Sequence, residues 1–263
     1  MRDGVSPAVS GLVVPPAAAE IFGDALPQAE KYAEILAVSG VERGIVGPAE
    51  ADRVWDRHLL NCAAVAHLLP ARCLLVDVGS GAGLPGIVLA LLAPQARVTL
   101  LEPLARRAEF LTETVAELGL TNAEVVRARA EDLAGQVAAD VVTARAVAPL
   151  DKLASLTLGL LRPGGRVLAI KGSSAEAELA KARPALARLG VTDAKVVRAG
   201  SPSGAATATV VTFTAPEHRG TAGSGLRGVS HAAGRGPGRR DVTGNPAVPA
   251  GSRKRPNSRR GGG

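Results

Sequence analysis

Aromatic residues and cysteines are scarce in this chain. Three Phe, one Tyr and one Trp make up 2% of the 263 residues, so Leu, Val and Ala must fill any hydrophobic core. Hydrophobic residues nevertheless reach 46%, which is enough for a substantial core. Cys62 and Cys73 are too far apart for a CxxC pair, and with four scattered histidines they offer no metal-ligand spacing. The sequence therefore predicts no metal site.

Long apolar runs are also missing. No stretch approaches the length that a bilayer span requires. The first residues, MRDGVSPAVSGLVVPP, contain no long apolar segment of the signal-peptide kind. We therefore expect a soluble cytoplasmic protein with no membrane partner. A monomer is the default expectation for its oligomeric state.

Acidic residues are nearly absent from the end of the chain. Residues 216–263 hold ten Lys/Arg and two Asp/Glu, whereas the other 215 residues hold 21 and 22. The same segment contains 12 glycines and five prolines, so it cannot bury enough apolar surface to offset its ordering entropy. We predict a disordered basic tail over 216–263. It is either a dispensable extension or an arm attracted to phosphates.

The remaining residues divide into three segments. Residues 1–16 are expected to form a flexible N-terminus. Apolar residues recur at helical spacing over 17–38 and 50–69, which predicts N-terminal helices within residues 17–70. From 71 to 215 strands alternate with helices, a pattern typical of a mostly parallel sheet with helices on both faces. RPGG predicts a turn before the strand GRVLAIKG, and the turn-rich SPSGAAT allows an antiparallel hairpin between the last two strands.

A glycine-rich loop, VDVGSGAGLPG at 76–86, follows the first strand of this α/β pattern. The spacing Gly81-x-Gly83-x-x-Gly86 is the phosphate-binding pattern of dinucleotide enzymes. The alternative pattern is Gly79-x-Gly81-x-Gly83, preceded by Asp77 at the end of the apolar strand. In either case the loop lies at the carboxyl edge of the sheet, where open α/β folds bind their ligands.

The second pattern resembles the first motif of class I S-adenosylmethionine-dependent methyltransferases. Together with LLEPLARRAEFL, ARAVAPL and AIKG, the stretch DVGSGAGLPGI resembles one family across roughly residues 20–213. It is the small-subunit (16S) ribosomal RNA guanine-N7 methyltransferase family, also called glucose-inhibited division protein B. The resemblance implies a Rossmann-like, mostly parallel seven-stranded sheet with an N-terminal helical extension. It also implies S-adenosylmethionine as cofactor and 16S ribosomal RNA or the small ribosomal subunit as partner.

The resemblance and the strand ends together assign a cofactor site. Its glycines would wrap the amino-acid and ribose portions of the cofactor, Asp77 would orient the loop or meet the methionine ammonium, and Glu102 would accept hydrogen bonds from the ribose hydroxyls. The predicted cofactor-binding residues are Asp77, Gly79, Gly81, Gly83, Leu84, Glu102, Ala130, Glu131 and Arg145. Arg145 could instead touch an RNA phosphate. Candidate substrate contacts are Arg57, His58 and Lys171.

No catalytic base is predicted, because guanine N7 has a free lone pair and no proton. Transfer of an activated methyl group to N7 is then a task of orientation. Three other functions stay open: a methyltransferase acting on a small molecule or a protein, a nicotinamide-dependent oxidoreductase based on GAGLPG, and a non-catalytic RNA-binding protein.

Overall fold

A computed structural model describes residues 12–201 and 204–217 of the chain. Residues 1–11 and 218–263 lie outside the described residues, so most of the predicted flexible N-terminus and of the predicted basic tail is not described. Within the described ranges, no helix is long and apolar enough to cross a membrane.

The N-terminal segment is helical, but in shorter pieces than the periodicity predicts. The first piece consists of α1 (Pro16–Phe22), a 3-10 turn (Gly23–Ala25), α2 (Leu26–Ala37) and α3 (Ser39–Glu42). The break before α2 coincides with Gly23, whose φ is +49°, and with Pro27, which lacks the N–H that a continuous helix would need. The second piece consists of a 3-10 turn (Pro48–Arg53), a π-helical turn (Val54–Leu59), α4 (Leu60–Ala63) and a 3-10 turn (Ala66–Leu68).

Seven strands form one sheet, as predicted. They are β1 (Leu74–Val78), β2 (Arg97–Leu101), β3 (Ala123–Val126), β4 (Ala139–Arg145), β5 (Leu161–Lys171), β6 (Lys195–Gly200) and β7 (Thr207–Thr214). Their spatial order is β3-β2-β1-β4-β5-β7-β6. β1 to β5 pair in parallel, whereas β7 runs antiparallel to both β5 and β6. The class I methyltransferase fold expected from the resemblance is confirmed.

Four helices connect the parallel strands and the hairpin. They are α5 (Gly86–Leu92), α6 (Ala105–Glu117), α7 (Leu150–Leu158) and α8 (Ala175–Arg188), with a 3-10 turn at Ala130–Leu133 after β3. The turn expected at RPGG is wrong, because these residues lie inside β5. The pairing register of β5 with β4 shifts between Ala139 and Val141, and Gly165 packs so closely that a Cβ there would be 2.9 Å from the Ala139 carbonyl oxygen.

Each face of the sheet is covered by its own hydrophobic cluster. One cluster joins the N-terminal helices to the sheet, with Tyr32 and Leu59 packed among Ile87, Leu100 and Phe110. The other lies under α7 and α8 and includes Val76, Val142, Leu153, Leu179 and Phe213. The predicted boundary at residue 70 thus separates sequence segments whose side chains share one core. The carboxyl ends of the parallel strands β1 to β5 meet at one edge of the sheet.

Candidate functional site

The glycine loop after β1 combines two kinds of glycine. Gly79, Gly81 and Gly83 all have positive φ, at +64°, +60° and +98°. A Cβ on Gly79 would be 2.8 Å from Val147 Cγ2, and one on Gly83 would be 2.4 Å from Ile87 Cδ1. At Gly81 the nearest atom would be the Gly79 carbonyl oxygen at 3.7 Å. Gly79 and Gly83 are therefore required by packing, whereas the space over Gly81 is open to a ligand.

Asp77, in β1, holds this loop through two hydrogen bonds. Its Oδ2 accepts hydrogen bonds from the Ser80 hydroxyl at 2.6 Å and from the Gly86 N–H at 3.0 Å. The side chain is fully buried, and this burial raises the pKa of Asp77 to about 7, although both hydrogen bonds act in the opposite direction. Of the two roles predicted for Asp77, this geometry favours orienting the loop.

Glu102, directly after β2, ties the loop to the neighbouring strand. Its Oε2 accepts a hydrogen bond from the Gly81 N–H at 2.9 Å, and its Oε1 accepts one from the Leu104 N–H at 3.0 Å. A carboxylate has about four lone-pair sites, so each oxygen can accept a further hydrogen bond from a ligand. Glu102 thus fixes the position of Gly81, and its carboxylate can still accept hydrogen bonds from hydroxyl groups of a ligand.

A cleft beside the loop consists of two adjoining cavities of about 510 Å³ and about 200 Å³. Both are lined by Gly79, Pro103, Ala128, Arg129 and Val147. The larger one also contains Glu102, Leu104, Arg107, Arg127, Asp132 and Ala146. The smaller one also contains Val78, Leu101, Ala130, Glu131, Ala148, Lys152 and Leu156.

The structure thus brings only part of the predicted cofactor set to the cleft. Gly79, Glu102, Ala130 and Glu131 line it, and Asp77, Gly81 and Gly83 belong to the adjoining loop. Leu84 is buried in the core cluster that contains the N-terminal helices. Arg145 is not among the lining residues of either cavity.

Arg145 instead meets the N-terminal segment. Its Nη2 lies 3.1 Å from Nδ1 of His58, and its Nη1 donates to the Arg57 carbonyl oxygen at 3.4 Å. On its other side, His58 Nε2 lies 3.0 Å from Oε2 of Glu50. Glu50 also pairs with Arg57 at 3.2 Å. The predicted residues Arg57, His58 and Arg145 are therefore brought together, and Glu50, which sequence reasoning missed, contacts the first two of them.

These contacts define the protonation state of His58. A guanidinium can only donate, so Nδ1 of His58 accepts from Arg145, and the neutral ring then carries its proton on Nε2, which lies 3.0 Å from Glu50 Oε2. Burial and the neighbouring Arg145 lower the pKa of His58, against the opposing effect of Glu50. Neutral His58 is thus a bridge between a cation and an anion. It is presented by a π-helical turn, a rare element that often marks functional sites.

Lys171 at the end of β5 holds the segment that follows β4. Its Nζ donates to the Ala148 carbonyl oxygen at 3.0 Å and to Oε1 of Glu178 at 2.7 Å. The same Glu178 oxygen accepts the Leu150 N–H at 2.8 Å. Ala146, in this segment, has a φ of +56°, which is unusual for a residue other than glycine. Lys171 therefore supports a strained segment at the cleft through two of its three N–H donors.

Tyr32 is a further residue that the sequence did not single out. Its hydroxyl donates to the Ala82 carbonyl oxygen of the glycine loop at 2.8 Å, and its side chain is fully buried. A tyrosine on the apolar side of a predicted helix is expected to be core. No local signal connects it to a loop fifty residues later.

The chain is similar in sequence to known proteins over most of its length. A sequence model of the family described as "GidB: rRNA small subunit methyltransferase G" matches residues 25–205. A protein named ribosomal RNA small subunit methyltransferase G from Mycolicibacterium gilvum is 54% identical over 211 residues, 78% of this chain and 92% of the relative. The protein of the same name from Thermobifida fusca is 54% identical over 198 residues, 75% of this chain and 84% of the relative.

Among solved structures, the chain is similar to a SAM-dependent O-methyltransferase from Thermotoga maritima. The alignment covers 60% of this chain and 66% of that one, with 17% identity and a TM-score of 0.47. The family match spans most of the described residues, and more than half of the aligned residues are identical in the two curated relatives. The chain therefore belongs to the GidB family, the rRNA small subunit methyltransferases G.

Proposed function

We propose that this protein transfers the methyl group of S-adenosylmethionine to N7 of a guanine in 16S ribosomal RNA. The observation that carries the proposal is the Gly81–Glu102 hydrogen bond beside a cleft of about 510 Å³, in a chain of this family. A substrate in the small ribosomal subunit would place the protein in the cytoplasm. The monomeric state stays a prediction.

The cleft fits the proposed cofactor at both of its ends. The open space over Gly81 allows the loop backbone to approach the amino-acid and ribose portions closely. The free lone pairs of Glu102 suit two ribose hydroxyls. The smaller cavity offers apolar side chains, among them Leu101 and Leu156, together with the Glu131 carboxylate, which suits the faces and the amino edge of an adenine.

Bound S-adenosylmethionine supplies a methyl group activated by its sulfonium charge. The residues of this chain then have to bind and orient, since N7 needs no deprotonation. Glu102, Asp77 and Tyr32 hold the loop from three different elements. Arg145 faces the N-terminal turn and not the cleft, which favours RNA over the cofactor as its ligand. Arg57, His58 and Lys171 are proposed as further contacts or supports for the RNA.

The target can be tested in cells. Small-subunit RNA from a strain lacking the protein should lose one 7-methylguanine, detected as loss of one borohydride–aniline cleavage site. The wild-type chain should restore the site, and Gly81→Val, which fills the open space, should not. If cleavage persists in the deletion strain while the purified chain binds S-adenosylmethionine, a methyltransferase with another substrate is the better interpretation. Calorimetric binding of NADH in place of S-adenosylmethionine would indicate the oxidoreductase.

A mechanism without a catalytic base leads to a separate prediction about the pH dependence of the methyl-transfer rate. Single-turnover methyl transfer with saturating substrate should change little across neutral pH, because neither N7 nor the sulfonium exchanges a proton. Transfer to an oxygen or an exocyclic amine would instead follow the pKa of a base. A rate that rises about tenfold per pH unit would contradict the base-free mechanism even with the correct target.

A further inference from the structure

Three arginines line the larger cavity without any ion-pair partner among the described residues. Arg107 belongs to α6, and Arg127 and Arg129 follow β3. The ion pairs of the described chain involve other basic residues, namely Lys31, Arg43, Arg57, His58, Arg162 and Lys171. The Nε atom of Arg107 is in addition buried without an acceptor in the described chain. A buried donor without a partner is costly, so a ligand that supplies an acceptor is indicated.

The two carboxylates of this cavity, those of Glu102 and Asp132, accept hydrogen bonds from backbone N–H groups. Glu102 accepts the N–H groups of Gly81 and Leu104, and Asp132 accepts the Arg129 N–H at 3.4 Å. Three guanidinium groups therefore stand against two carboxylates, and within the described chain neither carboxylate pairs with a guanidinium. The cavity has an excess of positive charge and of unused N–H donors.

The proposed cofactor does not supply the missing anion here. Glu102 marks the position of the ribose hydroxyls, and the adjoining smaller cavity takes the adenine. Neither the ribose nor the adenine of S-adenosylmethionine carries negative charge, and its carboxylate belongs to the amino-acid portion at Gly81, which is not among the residues lining this cavity. The guanidinium group is the donor best matched to phosphate, because its planar N–H fork can bind two phosphate oxygens at once. Successive phosphates on one strand can engage several arginines.

We propose that Arg107, Arg127 and Arg129 form a phosphate-binding rim, on which the backbone of the substrate RNA lies along the outer side of the cofactor cleft. This inference rests on the proposed function for its choice of RNA. It assigns a role to Arg127 and Arg129, which follow β3, and it places RNA backbone next to the bound cofactor.

Salt dependence of binding to small ribosomal subunits from a strain lacking the protein tests the rim. Arg107→Gln, Arg127→Gln and Arg129→Gln should each reduce the log–log slope of affinity against KCl concentration by about 0.7, and the triple variant by about 2. Arg127→Lys retains the charge and should retain the slope. Arg97→Gln is the matched control, because Arg97 is exposed at the opposite end of β2 and should leave the slope unchanged.

Urea unfolding of the same variants reports whether the chain is still folded, and calorimetric affinity for S-adenosylmethionine reports whether an arginine serves the cofactor instead of the RNA. Wild-type slopes in all three glutamine variants would overturn the rim. A loss of cofactor affinity with an unchanged slope would also overturn it, since the arginines would then serve the cofactor. Failure of the wild-type chain to methylate these subunits would instead contradict the proposed function.

Discussion

Gly81 and Gly119 have nearly the same positive φ, at +60° and +64°. A Cβ added to Gly81 would be 3.7 Å from its nearest atom, and one added to Gly119 would have no atom within 4 Å. Alanine at either position should therefore cost a similar free energy of unfolding, about 1–2 kcal/mol for a left-handed residue. Only Gly81→Ala should weaken calorimetric binding of S-adenosylmethionine, by at least about tenfold. Equal cofactor affinity in the two variants would show that no ligand approaches Gly81.

The raised pKa of Asp77 leads us to expect an unusual pH dependence of the unfolding free energy. Its pKa is raised from 3.8 to about 7 in the folded chain, so its contribution is fully present below 3.8 and is lost as pH rises through about 7. The unfolding free energy of the wild type, relative to Asp77→Asn, should therefore fall with rising pH by up to about 1.4 kcal/mol per unit between these values. Urea unfolding of both proteins over a pH series measures this difference.

Asp140 provides the control for that series. The Leu74 N–H and Arg162 hold its pKa below the usual value, so its contribution is lost only as pH falls below 3.8. The difference between the wild type and Asp140→Asn should stay constant from weakly acidic to neutral pH. The same constancy for Asp77→Asn would mean that Asp77 is ionised in the folded protein throughout this range.

At the scale of elements, three neighbours hold the glycine loop, and α2 is the one that sequence reasoning did not anticipate. Tyr32→Phe removes the hydroxyl that reaches Ala82 and leaves a carbonyl oxygen without its partner. We expect a loss of about 1–3 kcal/mol in unfolding free energy, together with weaker cofactor binding because the loop is less fixed. Urea unfolding and calorimetry report the two quantities separately.

Thr114→Val in α6 is a suitable control for Tyr32→Phe. Thr114 is also buried, and its hydroxyl donates to the Phe110 carbonyl oxygen at 2.7 Å, within its own helix. The substitution should reduce stability and leave the cofactor affinity unchanged. If both variants reduce cofactor affinity equally, the effect comes from general destabilisation and not from the loop.

The elements themselves were largely predictable, because the period of apolar residues is a local property. The alternation of strands and helices predicted over 71–215 is present as seven strands and the helices α5 to α8. The N-terminal helices were predicted too long. Periodicity continues across Gly23 and Pro27, and across the π-helical turn at Val54–Leu59, although the backbone hydrogen bonding changes there. RPGG was mistaken for a turn because irregular pairing with β4 accommodates its glycines inside β5.

At the scale of the whole molecule, the basic tail is the largest feature outside the described residues. We expect that deleting the predicted tail, residues 216–263, lowers affinity for small ribosomal subunits. The slope of the salt dependence should decrease by roughly 0.7–0.9 for each phosphate that the tail neutralises in the full-length chain. Calorimetric affinity for S-adenosylmethionine should stay the same. An unaltered slope would identify the tail as a dispensable extension and leave the arginine rim as the basic surface that faces the RNA.

The sequence by itself determined the α/β order, the glycine loop and the acidic residue after β2. Each depends on neighbouring residues: alternation specifies strands and helices, and positive φ at Gly79, Gly81 and Gly83 requires glycine. Only the tertiary structure decided which side chains meet. Tyr32 and Ala82 are fifty residues apart, and His58 and Arg145 are 87 apart. Such contacts follow from the strand order and from the packing of the N-terminal helices on one face of the sheet, and no local pattern encodes either.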